Sequence, residues 1–186
     1  MGDAALALST KQRGVLAGMA SAVAVVALVL ALAIVLRPAG LLPVGSSLAG
    51  QLAWAAMWLL LPALTLLFAV GRLAGHRFRT PQDIDGSGLT EGSDTAHIAQ
   101  AVIQNTLEQV VLAALVYTAY SAILPRGWLA AIPAAAILFT LGRLLFAWGY
   151  RRGAPGRALG FALTFYSTAA LALIAIAAIL IRIFAL

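Results

Sequence analysis

Asn105, Glu108, Arg143, Tyr150 and Arg157 are residue types that bind and activate small polar molecules, and all five lie within or at the ends of otherwise apolar stretches. Gln104, Asn105 and Glu108 stand at i, i+1 and i+4, which places them on one helical face. His97 and Gln100 carry the same polar stripe toward the preceding loop. Glu108 lies roughly 12 residues into its segment, about 18 Å along a helix axis. An ionised carboxylate at that depth costs ~2.5–3.5 kcal/mol or more unless it finds a partner or a wet cavity. Arg143, seven residues before Tyr150, is the expected partner, as a packing ion pair or as half of a binding site. Arg157 follows Pro155-Gly156 at an expected helix start, where free N–H groups already favour an anion. With Arg72 these residues make a mixed pocket suited to a small zwitterion carrying more than one carboxylate.

The elements that must position them are membrane helices. Gly14–Leu36 is uncharged and long enough to span a ~30 Å hydrocarbon core. It ends at Arg37-Pro38, a basic anchor and a helix stop. A second span is expected from about Leu48 to about Arg72, with Pro62 inside it and Trp54 and Trp58 one turn apart. The stretch 72–96 holds four of the six acids and reads as an extramembrane loop, with Asp94 or Thr95 capping the next helix. Further spans are expected over about Ala96–Ile123, Trp128–Tyr150 and Arg157 to the C-terminus, the last two joined by the basic turn Arg151-Arg152-Gly153-Ala154-Pro155-Gly156. Five spans put the termini on opposite sides. Lys11, Arg13, Arg72, Arg77, Arg79, Arg151, Arg152 and Arg157 then share one side and Arg37, Arg126 and Arg182 the other. The positive-inside rule places the N-terminus in the cytoplasm, in a bacterial cell at the inner membrane. Nothing after the first apolar run reads as a signal cleavage site.

Composition supports that frame. Of 186 residues, 63% are hydrophobic and 10% charged, with a mean hydropathy of +1.01, whereas a soluble domain carries about 25% charged residues. A soluble enzyme domain, a disordered chain and a disulfide-stapled module are excluded. The net charge of +6 comes from residues at segment ends, so topology and small anions account for it without nucleic acid. The chain has no cysteine, so any thiol chemistry must arrive with a substrate. His76 and His97 lack Cys, His or carboxylate neighbours at metal spacing, and no metal site is expected.

Three motifs, in order and on successive helices, resemble a known family. The second helix ends in Gly71-Arg72-Leu73, followed by Phe78-Arg79-Thr80-Pro81-Gln82-Asp83; the third carries Asn105-Thr106-Leu107-Glu108. The fourth and the next turn carry Gly142-Arg143, Gly149-Tyr150 and Pro155-Gly156-Arg157-Ala158-Leu159. From about Leu48 onward the chain resembles the membrane-associated proteins in eicosanoid and glutathione metabolism (MAPEG), and among them the microsomal glutathione transferases. The resemblance implies an all-α integral membrane protein, a four-helix transmembrane bundle of MAPEG type, here with one additional N-terminal transmembrane helix. Residues 1–46 would form that extension and 47–186 the family domain. It also implies a homotrimer with glutathione as co-substrate, bound between protomers near the cytosolic side. Carried over by position, Arg72, Gln104, Asn105, Glu108, Arg143 and Tyr150 would bind glutathione, and Arg157 would be catalytic, stabilising the thiolate.

The chain departs from the family pattern at Gln104, where several relatives have Arg, and at Phe146, where some have His. Ala158 stands where the prostaglandin-forming branch uses a serine, and Phe161 where a tyrosine is common. These changes argue against prostaglandin synthesis. The expected activity is a glutathione-dependent transferase or peroxidase acting on a lipophilic small molecule or lipid. The alternative is a non-catalytic membrane protein of the same fold that binds a lipid or a partner protein; a small transporter or channel subunit is a more distant third.

Overall fold

The computed structural model describes residues 8–86 and 88–185. Among them are five α-helices: α1 (Thr10–Leu36), α2 (Leu48–Arg79), α3 (Asp94–Ile123), α4 (Ala131–Gly149) and α5 (Gly153–Phe184). Their ends follow local chemistry. Ser9 and Gln12 form a reciprocal capping box on α1, satisfying two backbone donors that have no partner within the helix. Its last turn closes on Arg37, in the left-handed region at φ 46°, and Pro38 cannot continue the helix. Ser47 accepts from the Gly50 N–H and Ser93 from the Ala96 N–H, so α3 is capped by Ser93, one residue before Asp94.

Thr10–Leu36, Leu48–Arg79 and Asp94–Ile123 are each long and apolar enough to cross a membrane. So is the 59-residue stretch Arg126–Phe184. The turn at Tyr150–Arg152 divides it into α4 and α5, each close to or above the ~20 residues one crossing needs. The protein is an all-α, multi-pass integral membrane protein. Its surface agrees: Leu28, Leu60, Leu67, Phe68, Leu115, Leu173 and Ile181 face outward, while Gln109, Ser121, Arg143, Thr164, Ser167 and Thr168 are buried. Lipid solvates the outer side chains, so the polar groups must find partners inside the bundle.

The main packed pairs are α4 with α5, α1 with α5 and α2 with α3; α3 against α5 and α2 against α4 close α2 to α5 into a ring. The additional helix α1 lies outside this ring against α5 and α4. Small residues set the spacing. Gly142 and Gly149 of α4 meet Gly156 and Gly160 of α5 so closely that a Cβ on any of them would run into opposing backbone. Gly14 and Gly18 of α1 approach α5 less closely: a Cβ on Gly14 would touch the Pro155 ring at 3.0 Å, and one on Gly18 the Leu159 amide nitrogen at 3.0 Å and the Ala158 methyl at 3.1 Å. The core between them holds Tyr117, Tyr120, Phe139, Leu129, Ile132 and Leu171. The Tyr120 hydroxyl donates to the Trp128 carbonyl at 3.1 Å.

Two boundaries differ from expectation. Helix α2 continues to Arg79 rather than ending at Arg72, which shortens the polar loop to 80–93. The end of the apolar run is not the end of the helix. Arg72-Leu73-Ala74 are good helix formers, and His76, Arg77 and Arg79 in the last turn complement the macrodipole. Helix α5 starts at Gly153, ahead of Pro155, because proline is tolerated in a first helical turn. Arg157 therefore sits just past the first turn instead of on the first residue.

Candidate functional site

The inward faces of α3, α4 and α5 carry the site. The buried stripe of α3 runs through Val102, Thr106, Gln109, Ala113 and Tyr117. Asn105 adjoins that stripe and is half-buried. Its Oδ1 accepts a 2.8 Å hydrogen bond from Nη1 of Arg143. Arg143 is 4% exposed, and its Nε donates to Oγ1 of Thr164 on α5 at 3.1 Å. One guanidinium thus joins α3, α4 and α5. Its Cζ lies 4.3 Å from the centre of the Phe146 ring, an arrangement that favours the cation through the ring quadrupole.

Phe146 begins an aromatic path to the membrane edge. Its ring meets Tyr150 edge-on at 5.4 Å, and the Cζ of Arg157 stands 4.4 Å over the Tyr150 ring. Arg157, Tyr150 and Asn105 line one cleft of about 310 Å³, together with Phe146, Phe161, Ala158, Ala154 and Val15. Val15 belongs to α1, so the additional helix forms part of this wall. Among the described residues Arg157 has no hydrogen-bond or ion-pair partner, and its guanidinium is available to a ligand.

The expected Glu108–Arg143 pair does not form within the protomer. Glu108 is exposed and accepts from Nε2 of Gln104 at 3.0 Å; Arg143 bonds Asn105 and Thr164 instead. The reason is helical phase: Glu108 precedes the buried Gln109 by one residue, so it points about 100° away from the buried stripe. Gln104 and Glu108 therefore present a polar strip on the outer face of α3. Arg72, also exposed, lies away from the Arg157 cleft. With Arg143 it lines a second cavity of about 230 Å³ between α2, α3 and α4. Arg151 donates to Oγ1 of Thr95 at 2.9 Å, and Arg152 packs 3.8 Å over the Trp148 ring, so both tie the α4–α5 turn to its neighbours.

Sequence reasoning missed two features. Thr164 holds Arg143; hydroxyls at 164, 167 and 168 in an otherwise apolar span were the available signal. Asp83 is the second. It is 1% exposed and accepts from the Ser93 N–H and Ser93 Oγ, both at 2.7 Å. His76 Nε2 lies 2.8 Å from its Oδ2. These hydrogen bonds, that from the Ser93 hydroxyl foremost, hold the Asp83 carboxyl below the usual carboxylate range despite burial, which opposes the shift. The loop 80–93 is thereby pinned to the end of α2 and the start of α3. Pro81-x-Asp83 was recognised as a motif, but its acceptor role depends on Ser93, ten residues on.

The site sits in a helical membrane bundle, with a buried arginine network around Arg143 and the Arg157 cation over Tyr150 in an adjoining cleft. The model of the MAPEG family matches residues 52–177, and the chain belongs to that family. The match spans α2 to α4 and most of α5 and leaves α1 outside it. Neither the curated proteins nor the solved structures contain a chain that matches this one.

Proposed function

We propose that the protein is a membrane-bound glutathione-dependent transferase, with peroxidase capacity, resembling the microsomal glutathione transferases of its family. The observation that carries this reading is Arg157: a cation stacked over Tyr150 with no hydrogen-bond or ion-pair partner among the described residues, just past the first turn of α5, in a cleft shared with Asn105 and Tyr150. Fixed positive charge and nearby helix N–H groups favour a thiolate over a thiol. The chain has no cysteine, so the sulfur belongs to glutathione. Asn105 and Tyr150 supply polar contacts to the tripeptide, and Arg143 keeps Asn105 in place. Gln104 and Glu108 offer an acceptor for its ammonium from the outer face of α3, a surface that a homotrimer would turn toward the neighbouring protomer.

With an aryl halide, the thiol proton leaves to solvent, the C–S bond forms and the halide departs. With a lipid hydroperoxide, the sulfur takes the terminal oxygen and releases the alcohol. A second glutathione then forms the disulfide and water. The surplus of Lys and Arg around the Arg79–Ser93 loop and the Arg151–Gly153 turn supports a cytoplasmic N-terminus, and by extension a bacterial inner-membrane location.

The test is Arg157→Ala. Turnover with a generic aryl halide should fall far more than glutathione affinity, because the charge acts mainly on ionised sulfur. Thiolate absorbance of bound glutathione should fall in parallel. Wild-type thiolate formation and turnover in the variant would remove Arg157 from the chemistry. Absence of glutathione binding to the unmodified protein would favour a non-catalytic role.

A further inference from the structure

The end of the bundle opposite the Arg157 cleft carries three arginines from three different elements. Helices α1, α3 and α5 end there, and α2 and α4 begin there. All three arginines meet or belong to the short link between α3 and α4. The guanidinium carbon of Arg37, just past α1, lies so near Gly127 that a Cβ on that glycine would come within 3.3 Å of it. Arg126 is part of the link, and its Nε donates to the Pro43 carbonyl at 2.9 Å. Arg182, in the last turn of α5, donates through Nη2 to the Ile123 carbonyl. All three are exposed. Among the described residues no Asp or Glu lies at this end. Asp83, Asp85, Glu91 and Asp94 stand at the other end, between α2 and α3 or at the start of α3, and Glu108 lies inside α3.

Helix capping accounts for only part of this arrangement. Basic side chains at helix C-termini complement the macrodipole, and Arg37 Nε does donate to the Ile34 carbonyl at 3.2 Å. Each guanidinium commits one nitrogen in this way, which leaves most of its five donors for a ligand. Arg37 also has a φ of 46°, the only positive φ outside glycine among the described residues. Glycine is the usual occupant of a left-handed helix end, since it has no Cβ to clash. An arginine held there at a backbone cost points to a use for its side chain. An apolar groove begins beside it. Val29, Leu32 and Leu36 of α1 and Ile137 and Leu141 of α4 line a cleft of about 360 Å³ with no polar residue in its wall. Leu32, Leu36, Ile137 and Leu141 are exposed on the lipid-facing surface, so the groove opens to the bilayer. It follows about 10 Å of helix from Val29 to Leu36, and its lining residues Leu36 and Pro38 flank Arg37 in the chain.

We propose that this end of the bundle binds an anionic phospholipid, its phosphate held by Arg37 and Arg126 beside the charge of Arg182, and one acyl chain lying in the α1–α4 groove. Arginine forks match pairs of phosphate oxygens, and an anion among three like charges relieves their mutual repulsion. The lipid keeps the orientation it has in the membrane, head group at the surface and chain toward the centre. The family model begins its match at residue 52, so Arg37 and the α1 wall of the groove lie outside the family domain. The lipid therefore fills the α4 side of the additional helix. None of these residues lines the Arg157 cleft, and the site does not depend on the glutathione reading.

The test uses the full-length protein in phosphatidylcholine nanodiscs and a phosphatidylglycerol probe with a photoreactive group in the upper half of one acyl chain, the labelled residues being mapped by mass spectrometry. Label should concentrate on Leu32, Leu36 and Ile137. A diacylglycerol probe with the same chains and no phosphate should label these residues at least about tenfold less, the loss expected for one charge-assisted hydrogen bond. Arg37→Gln and Arg126→Gln should each lower labelling by a similar factor. Arg37→Lys, which keeps the charge, should retain more label than Arg37→Gln, a difference that a loss of folding would not produce. Ile137→Trp, which fills the groove from its lipid-facing side and keeps all three arginines, should abolish it. Equal labelling by the two probes, undiminished labelling in both glutamine variants, or label spread evenly over the lipid-facing surface would overturn the proposal. So would displacement of the label by millimolar inorganic phosphate, which would assign the arginines to a soluble anion.

Discussion

Replacing Gly160 by alanine puts a methyl carbon into the close α4–α5 seam. An ideal Cβ there would lie 2.7 Å from the Gly142 carbonyl oxygen and 2.8 Å from the Phe146 Cα, and closer still to the Phe146 amide nitrogen. All three are backbone atoms of α4, so no side chain can swing aside. Ordinary contact begins near 3.4 Å, and the two helices must part by at least that shortfall. Overpacking of this kind costs about 1–3 kcal/mol. The same separation stretches the 3.1 Å bond from Arg143 to Thr164, and a hydrogen bond to a charged group is worth about 1.5–3 kcal/mol. We expect Gly160→Ala to lose about 3–5 kcal/mol in total, read from reversible denaturant unfolding in detergent with tryptophan fluorescence as the signal. Gly71→Ala on α2 is the control. A Cβ there meets nothing within 4 Å, so the variant should be neutral or gain about 0.5–1 kcal/mol from helix propensity. If the two variants unfold at the same denaturant concentration, close α4–α5 approach does not hold this bundle together.

Asn105→Ala should cost about 1.5–3 kcal/mol, because the buried Arg143 loses its α3 partner, while Gln104→Ala, on the exposed face, should change stability by under about 0.5 kcal/mol; the same unfolding assay compares them. Asp83 is held below the usual carboxylate range, so its stabilising contribution is full above the ordinary carboxylate range near pH ~4 and is lost as pH falls through its own lower value. Amide exchange in the loop 80–93 should therefore be faster in Asp83→Asn than in the unmodified protein at neutral pH, and the difference should vanish at strongly acid pH. Labelling an engineered Asp85→Cys with an impermeant thiol reagent should succeed in inverted membrane vesicles and fail in intact cells; ready labelling from outside would reverse the topology.

The fold was legible because the bilayer imposes a simple rule on sequence. Apolar runs long enough to cross had to be helices, and the uncharged Gly14–Leu36 and Ala96–Ile123, with Glu108 its one acid, fall close to the observed elements. The same rule hid what lies beyond the membrane. Arg72 to Arg79 looked like loop because it is charged, yet charge outside the hydrocarbon carries no penalty and the helix continues. The site was legible as a set of residue types but not as a set of contacts. Asn105, Tyr150 and Arg157 do line one cleft. Glu108 and Arg143 were paired by depth along their helices, and depth does not report azimuth. A shift of one residue on α3 decides whether a side chain meets Arg143 or faces outward. The Gly142–Gly160 contact was invisible for a related reason: the glycines were evident, but which of them face one another depends on the crossing of two helices.

The seam between α1 and α5 bears on how the chain assembles. Gly14 meets Pro155 and Gly18 meets Ala158 and Leu159, so α1 closes on α5, far from it in sequence. The pairs α2–α3 and α4–α5 are sequence neighbours and can associate soon after each enters the bilayer. Helix α1 cannot reach its surface on α5 until α5 has been inserted. It can wait at little cost, because its stretch Gly14–Leu36 carries no charge and lipid solvates the apolar side chains it presents. Arg143 cannot wait in the same way, since its partners come from α3 before it and α5 after it. Closure of the bundle therefore waits on α5, and so does the Arg157 cleft, whose wall combines α5 with Val15 of α1.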